Sequence, residues 1–318
     1  MSAINVSRIK PAALRQGDTV GIVAPASNVK PEELEAGCEA LRRAGYNPLY
    51  FDSIFERDLY FAGSVGRRTG ELEEMFARKD VRAIICARGG YGSNYLLDTL
   101  NFTKIAAHPK IFIGYSDLTA LLTCFSDKTG LVTFHGPMVA KDWAYADGVE
   151  MHSWQAALSG ASAWEPDPGT TSSLKGLVEG RAEGMLYGGC LSILVASLGT
   201  RYEIETRGTI LFLEDVAAKP FQIDRMLMQL KISGKLDDVK GIIFGEMLNC
   251  VQGANQGYTL EEVVLRVVGD LGIPIAYGLR SGHVTTGNIT LPLGVQAALV
   301  VSGAQVSLRI LESSVSSD

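Results

Sequence analysis

The sequence predicts an α/β protein, with an N-terminal doubly wound parallel-sheet domain followed by a β-rich, mixed α/β C-terminal domain. Three observations carry this expectation. In the first half, short apolar runs fit for buried strands alternate with stretches whose apolar residues recur at helical spacing. The rhythm then breaks at Ser159 to Leu174, SGASAWEPDPGTTSSL, which is rich in Gly, Pro, Ser and Thr and has no apolar period. The closing stretch, Asn288 to Ile310, reads as β hairpins separated by Pro-Leu-Gly and Ser-Gly. The domains are expected at residues 1–158 and 181–318, joined by a linker over residues 159–180.

In chain order, Asp18 to Ala26 is a β-rich apolar run, and Pro31 opens a helical pattern that lasts to about Ala44. Asn47 to Phe51 is the next strand, Arg67 to Ala77 the next helix, and Val81 to Ala87 a buried strand. A helix is expected from about Asn94, then a strand before Ser116, a helix after it, and a strand near Leu131 to Phe134. Beyond the break, Ser192 to Leu198, Arg225 to Lys231 and Leu260 to Leu271 read as helices. Thr209 to Leu213 and Val239 to Phe244 read as strands.

With 318 residues, 47% of them hydrophobic, the chain can bury a core large enough for two domains. The net charge is −6 and the basic residues are scattered, so no nucleic-acid partner is expected. The N-terminus lacks the apolar core of a secretory signal, and no run approaches the roughly 18 apolar residues of a membrane span. A cytoplasmic protein without membrane contact is expected. Five cysteines with no Cys-x-x-Cys spacing, mostly in apolar segments, are expected to be reduced and unpaired. The four histidines are not paired with other ligands at metal-site spacing, and no metal or organic cofactor is called for.

Candidate chemistry centres on Lys110 to Phe125, KIFIGYSDLTALLTCF. Ser116 lies between an apolar strand and Leu118, Leu121, Leu122 and Phe125 at helical spacing, so it is displayed on a tight turn beside free helix N–H groups. That placement suits a nucleophile, although Ser116 or Asp117 could equally serve as a helix cap. Arg88-Gly-Gly-Tyr-Gly92 follows a strand and precedes a helix. It lacks the third glycine and the later acid of a dinucleotide site. It is either a tight structural turn or the source of an oxyanion donor near Gly90, acting with the N–H of Asp117. Leu211-Phe-Leu-Glu-Asp215 ends an apolar strand in two acids, which could orient a histidine or cap the next segment. His283 lies in a polar loop, and few other imidazoles could act as a base. Ser116, Glu214 and His283 together supply nucleophile, orienting acid and base. The order Ser, acid, His also occurs in α/β hydrolases, but Leu118 stands where their elbow needs a glycine.

Ordered pieces along nearly the whole chain resemble the LD-carboxypeptidase family, serine peptidases that include murein tetrapeptide carboxypeptidases and microcin-immunity peptidases. They are GIVAPAS at Gly21, ARGGYG at Ala87, IGYSDLTAL at Ile113, FHGPM at Phe134, LYGGCLSIL at Leu186, LFLEDV at Leu211, IDRMLMQLKISGKL at Ile223 and GHVTTGNITLPLG at Gly282. The resemblance implies a Ser116, Glu214 and His283 triad, with oxyanion amides near Gly90 and at Asp117. It also implies a homodimer that releases the terminal D-alanine from cytoplasmic muropeptide tetrapeptides during peptidoglycan recycling. The substrate's free carboxylate needs a positive or amide-rich pocket; Arg88 is placed for that, or packs against an acid, and Tyr91 could pack on the peptide stem. Two departures stand out: Cys190 replaces the Asn common in Gly-Gly-Asn-Leu, and Gly-His-Val replaces Gly-His-Gly. A microcin-immunity-like activity on peptidyl or aminoacyl nucleotides is the rival, with Trp143, Trp154 and Trp164 as potential base platforms. A non-catalytic peptide-binding module is the third reading.

Overall fold

The computed structural model describes residues 7–167, 174–251, 257–303 and 305–317. The first half contains β1 (Thr19–Val23), α1 (Pro31–Arg43), β2 (Asn47–Leu49), α2 (Val65–Ala77), β3 (Val81–Cys86), α3 (Phe102–Ala107), β4 (Ile111–Gly114), α4 (Thr119–Thr129), β5 (Thr133–His135) and α5 (Met151–Ser159). The second contains β6 (Lys175–Val178), β7 (Gly180–Cys190), α6 (Leu191–Ala196), β8 (Thr209–Glu214), α7 (Pro220–Ile232), β9 (Gly241–Gly245), α8 (Leu260–Val268), β10 (Ile275–Leu279), β11 (Leu291–Leu293), β12 (Gln296–Ser302) and β13 (Gln305–Ile310).

Local chemistry accounts for the clearest elements. Pro31 starts α1, Glu32 and Glu33 sit in its first turn and Arg42 and Arg43 in its last, matching the helix dipole at both ends. Its buried stripe is Leu34, Cys38 and Leu41. Thr259 and Glu262 form a capping box at the start of α8. Strands β4, β8 and β9 are buried along their whole length, which explains their unbroken apolar sequences.

The N-terminal sheet has the order β11-β5-β4-β3-β1-β2. Five of its strands are parallel, in the order 2-1-3-4-5, and β11 adds antiparallel to β5. In such a sheet ligands sit beyond the strand carboxyl ends near the point where the order reverses, here between β1 and β3. The second sheet has the order β13-β12-β7-β8-β9-β10-β6, with a parallel centre β7-β8-β9-β10 and antiparallel strands at both sides. Strand β8 is buried on both faces. Ile210 and Phe212 join the core that also holds Ile84, Phe112 and Phe134, while Leu211 and Leu213 join a second core with Ile223, Leu227 and Val264.

The structure departs from the sequence expectation in four places. The helix expected from Asn94 is a 3-10 turn, Ser93–Leu96, followed by the separate α3. Asp117 captures the turn, because its carboxylate accepts from the Ser93 N–H at 2.8 Å and its carbonyl from the Ser93 hydroxyl at 2.6 Å. The stretch read as a linker contains β6 and the first residue of β7, and Trp164 is buried and bridged to Ile310; residues 168–173 lie outside the described residues. The expected terminal hairpins reduce to β12 and β13, because β11 leaves for the other sheet. Helix α5, capped by the Glu150 carboxylate, and strands β6, β7 and β10 were not expected as elements.

Candidate active site

Ser116 follows β4 and begins a 3-10 turn that runs into α4. Its φ is 62°, a left-handed conformation that a non-glycine residue adopts at a cost of about 1–3 kcal/mol. The turn sets the residue beyond the sheet edge, at the start of a helical segment whose first N–H groups lack intrahelical partners. Gly89 packs directly behind it: a Cβ there would lie 2.9 Å from Ser116 Cβ and 3.1 Å from Oγ. Together with Gly90, Arg88, Lys30, Lys141 and His283, Ser116 lines a cleft of about 310 Å³. The cleft therefore lies at the carboxyl ends of β1, β3 and β4, where the strand order reverses.

The second sheet contributes the acid. Glu214, the last residue of β8, has no exposed surface. Its Oε2 accepts from His283 Nδ1 at 2.7 Å and from the His283 backbone N–H at 3.1 Å. Burial by itself would raise this carboxyl, but hydrogen bonding and charge from the adjacent imidazoles outweigh it and hold it at about 2. Burial by itself would lower the His283 imidazole, yet the hydrogen bond and charge of Glu214 hold it above its ordinary 6.5. The His283 ring meets the Tyr115 ring edge-on at 5.2 Å, which fixes its plane. Its Nδ1 is taken by Glu214, so Nε2 is the nitrogen left for chemistry in the cleft. No hydrogen bond joins Ser116 Oγ to His283 among the described residues.

The remaining sequence candidates fall in three places. Gly90 and Gly89 both line the cleft, and it is at Gly89 that an added Cβ would meet the Ser116 side chain. The Asp117 side chain is a structural clasp on the Ser93 turn, and burial raises its carboxyl despite those bonds. Arg88 lines the cleft and forms no ion pair among the described residues; its guanidinium reaches only the Asn28 carbonyl, at 3.4 Å. Tyr91 is not part of this cleft. Its half-exposed ring joins Tyr60, Phe61 and Tyr95 in an aromatic group and borders a neighbouring cavity. Cys190 is buried, with Sγ 3.3 Å from Ser192 Oγ and its N–H donated to Thr119 Oγ1. All three tryptophans are buried, and Trp143 packs edge-on against Trp154.

Residues 20–136 match the LD-carboxypeptidase N-terminal domain and residues 183–299 the LD-carboxypeptidase C-terminal domain. The chain belongs to the LD-carboxypeptidase family. A probable murein peptide carboxypeptidase of Bacillus subtilis is 40% identical over 294 residues, covering 91% of each chain. The crystal structure of a muramoyltetrapeptide carboxypeptidase from Oxalobacter formigenes superposes with a TM-score of 0.81 at 29% identity, over 93% of this chain and 99% of that one. The microcin C7 self-immunity protein MccF of Escherichia coli is 30% identical over 329 residues, covering 93% of this chain and 94% of that one. A structure of MccF with glutamyl sulfamoyl guanosine superposes with a TM-score of 0.89 at 27% identity, over 96% of this chain and 99% of that one. As an LD-carboxypeptidase the protein is a serine-type peptidase.

Sequence reasoning missed several side chains at this LD-carboxypeptidase site. His135, at the end of β5, is fully buried with Nε2 3.8 Å from Glu214 Oε1, a distance that allows electrostatic contact but no hydrogen bond. Ser281 holds the other side of that ring at 2.9 Å. Asp142 accepts from the Met138 N–H at 2.8 Å and from the Tyr115 hydroxyl at 3.4 Å, and burial pushes its carboxyl up to about 6. The only sequence signal for His135 was its place in the FHGPM segment.

Proposed function

We propose that this LD-carboxypeptidase hydrolyses the amide bond between an L-configured centre and a terminal D-amino acid, releasing D-alanine from muropeptide tetrapeptides. The observation that supports it most is the Glu214 to His283 pair at 2.7 Å, whose imidazole lines the same cleft as Ser116. In this reading His283 Nε2 takes the Ser116 proton as Oγ attacks the carbonyl carbon, forming a tetrahedral oxyanion. Proton transfer needs heavy atoms within about 3.2 Å, so the contact between Ser116 and His283 closes as substrate enters. N–H groups near Gly90 and at Asp117 receive the oxyanion, each worth about 3–4 kcal/mol of barrier. His283 then returns the proton to the leaving amine, and water repeats the sequence on the acyl-enzyme. Glu214 holds the imidazole tautomer and stabilises its charged form. Arg88, without an acidic partner of its own, receives the terminal carboxylate.

The proposal includes action on recycled wall peptides in the cytoplasm and a homodimeric state, both resting on the family resemblance. Cell fractionation and sedimentation velocity test them.

The principal test is incubation with a muropeptide tetrapeptide, followed by mass spectrometry. Loss of one alanine is expected from the native enzyme, and none from Ser116→Ala, whose circular dichroism and melting are expected to match the native protein. Near-normal turnover by Ser116→Ala would sink the assignment. The likeness to MccF makes an aminoacyl adenylate analogue the second substrate to include. The buried tryptophans offer no base platform in the cleft, so the peptide is expected to turn over faster.

A further inference from the structure

The Glu214 carboxylate has two oxygens, and His283 accounts for one. Oε1 has no hydrogen-bond partner among the described residues, and neither does His135 Nε2. Both belong to side chains with essentially no exposed surface, and they face each other at 3.8 Å. If Nε2 presented a lone pair, two buried acceptors would oppose each other, each unsatisfied at a cost of about 1–3 kcal/mol. A hydrogen on Nε2 turns the same contact into an attractive one.

The far side of the ring permits that hydrogen. His135 Nδ1 lies 2.9 Å from Ser281 Oγ, which also reaches the Ile289 carbonyl at 2.9 Å. Ser281 Oγ has a single hydrogen: given to the Ile289 carbonyl, it leaves Oγ to accept from an Nδ1 hydrogen, and the ring then carries Nε2–H as an imidazolium; given to Nδ1, it leaves the neutral ring with its hydrogen on Nε2. The rest of the pocket is specified too. The Tyr115 and Phe212 rings flank His135 at 5.9 and 5.1 Å. Asp142 stands behind Tyr115, Asp215 comes after Glu214 in the chain, and Cys190 pairs with Glu214 across β7 and β8. Gly282 closes the last side, since a Cβ there would lie 2.8 Å from His135 Cε1. A site built only for packing against these rings would not need an imidazole.

We propose that His135 is a positioning residue of the triad, carrying a hydrogen on Nε2 directed at Glu214 Oε1, so that one carboxylate is shared between two imidazoles. Sharing tempers the hold of Glu214 on His283, which keeps His283 able to give up its proton and accept another near neutral pH. The inference rests on the triad reading and extends it to a residue outside the three.

Two measurements that need no peptide test it. Long-range proton–nitrogen correlation spectra of the enzyme with 15N-labelled histidine are expected to show His135 Nε2 protonated at neutral pH; an unprotonated Nε2 overturns the proposal. The rate of Ser116 labelling by a fluorophosphonate, followed against pH, is the second. In His135→Phe the acid limb is expected to move up by about half to one pH unit, because Glu214 then serves His283 alone. In His135→Gln, whose amide can still donate, the limb is expected to stay close to the native one. An unmoved limb in His135→Phe, or equal shifts in both variants, would reduce His135 to a core filler. If the native enzyme is not labelled at any pH, the serine-peptidase mechanism fails and the spectra still decide the Nε2 assignment; they also decide it if His135→Phe does not fold.

Discussion

Glu214 carries its charge where no water reaches it, and in the proposed mechanism that charge decides when His283 can act. His283 is held above its ordinary 6.5 by Glu214 against the opposing effect of burial. It works as a base only when unprotonated, so kcat/KM is expected to climb with pH along a limb centred above 6.5. A limb at or below that value would show that the pair does not couple in solution. Both groups stabilise the fold, with opposite dependence on pH. The depressed carboxyl of Glu214 stabilises the fold above the ordinary 4.5, and this is lost as pH falls towards about 2. The raised imidazole stabilises the fold below 6.5, and this is lost as pH rises through its folded value. At this scale Ser116, Glu214 and His283 stood out as candidates because each ends an apolar run or stands in a polar loop, and the structure brings Glu214 onto His283 and His283 into the cleft of Ser116. His135 did not, because it closes a three-residue strand too short to have a period, and its partner Ser281 is 146 residues away.

Among the elements, the loop from β10 to β11 places a strict local demand beside the site. Gly282 has a φ of 93°, and a Cβ at that position would meet Glu214 Cδ at 2.7 Å and His135 Cε1 at 2.8 Å. Gly282→Ala is therefore expected to lose about 1–3 kcal/mol of stability from the backbone conformation. Its kcat/KM is expected to fall further than the loss of folded protein explains, since the intruding methyl displaces Glu214 or His135. Urea titration and steady-state kinetics on the same preparation separate the two effects. The strands β1, β4, β8 and β9 were readable as apolar runs, and β3 as one broken only at the exposed Arg82. Strand β7 was not, because Gly188 and Gly189 interrupt its pattern, and β6 carries too little apolar sequence to stand out from a linker. The Ser93 turn read as a helix because helical periodicity says nothing of the Asp117 clasp that stops it.

Over the whole molecule, the alternation of strands and helices was legible in the sequence but the order of the strands was not, because it depends on pairings between distant segments. Nor does any local pattern reveal that β11, late in the chain, completes the N-terminal sheet through Leu291–His135, Pro292–Phe134 and Leu293–Thr133 pairs. Leu291 and Leu293 lie in the same core as Phe112 and Phe134. Calorimetry is therefore expected to record one cooperative transition and not two. Leu291→Ala is expected to lower that single transition as a unit, at a cost of about 2–5 kcal/mol. Two separated transitions would show that the halves melt independently.

The late arrival of β11 also bears on synthesis. While the ribosome is still building residues beyond 160, β5 and its His135 present an open sheet edge, and the strand that covers it has yet to be translated. A nascent N-terminal half that pairs its own strands would carry that uncovered edge until β11 emerges, so slowing translation of the second half is expected to lower the fraction of chain recovered folded, read as soluble yield on expression.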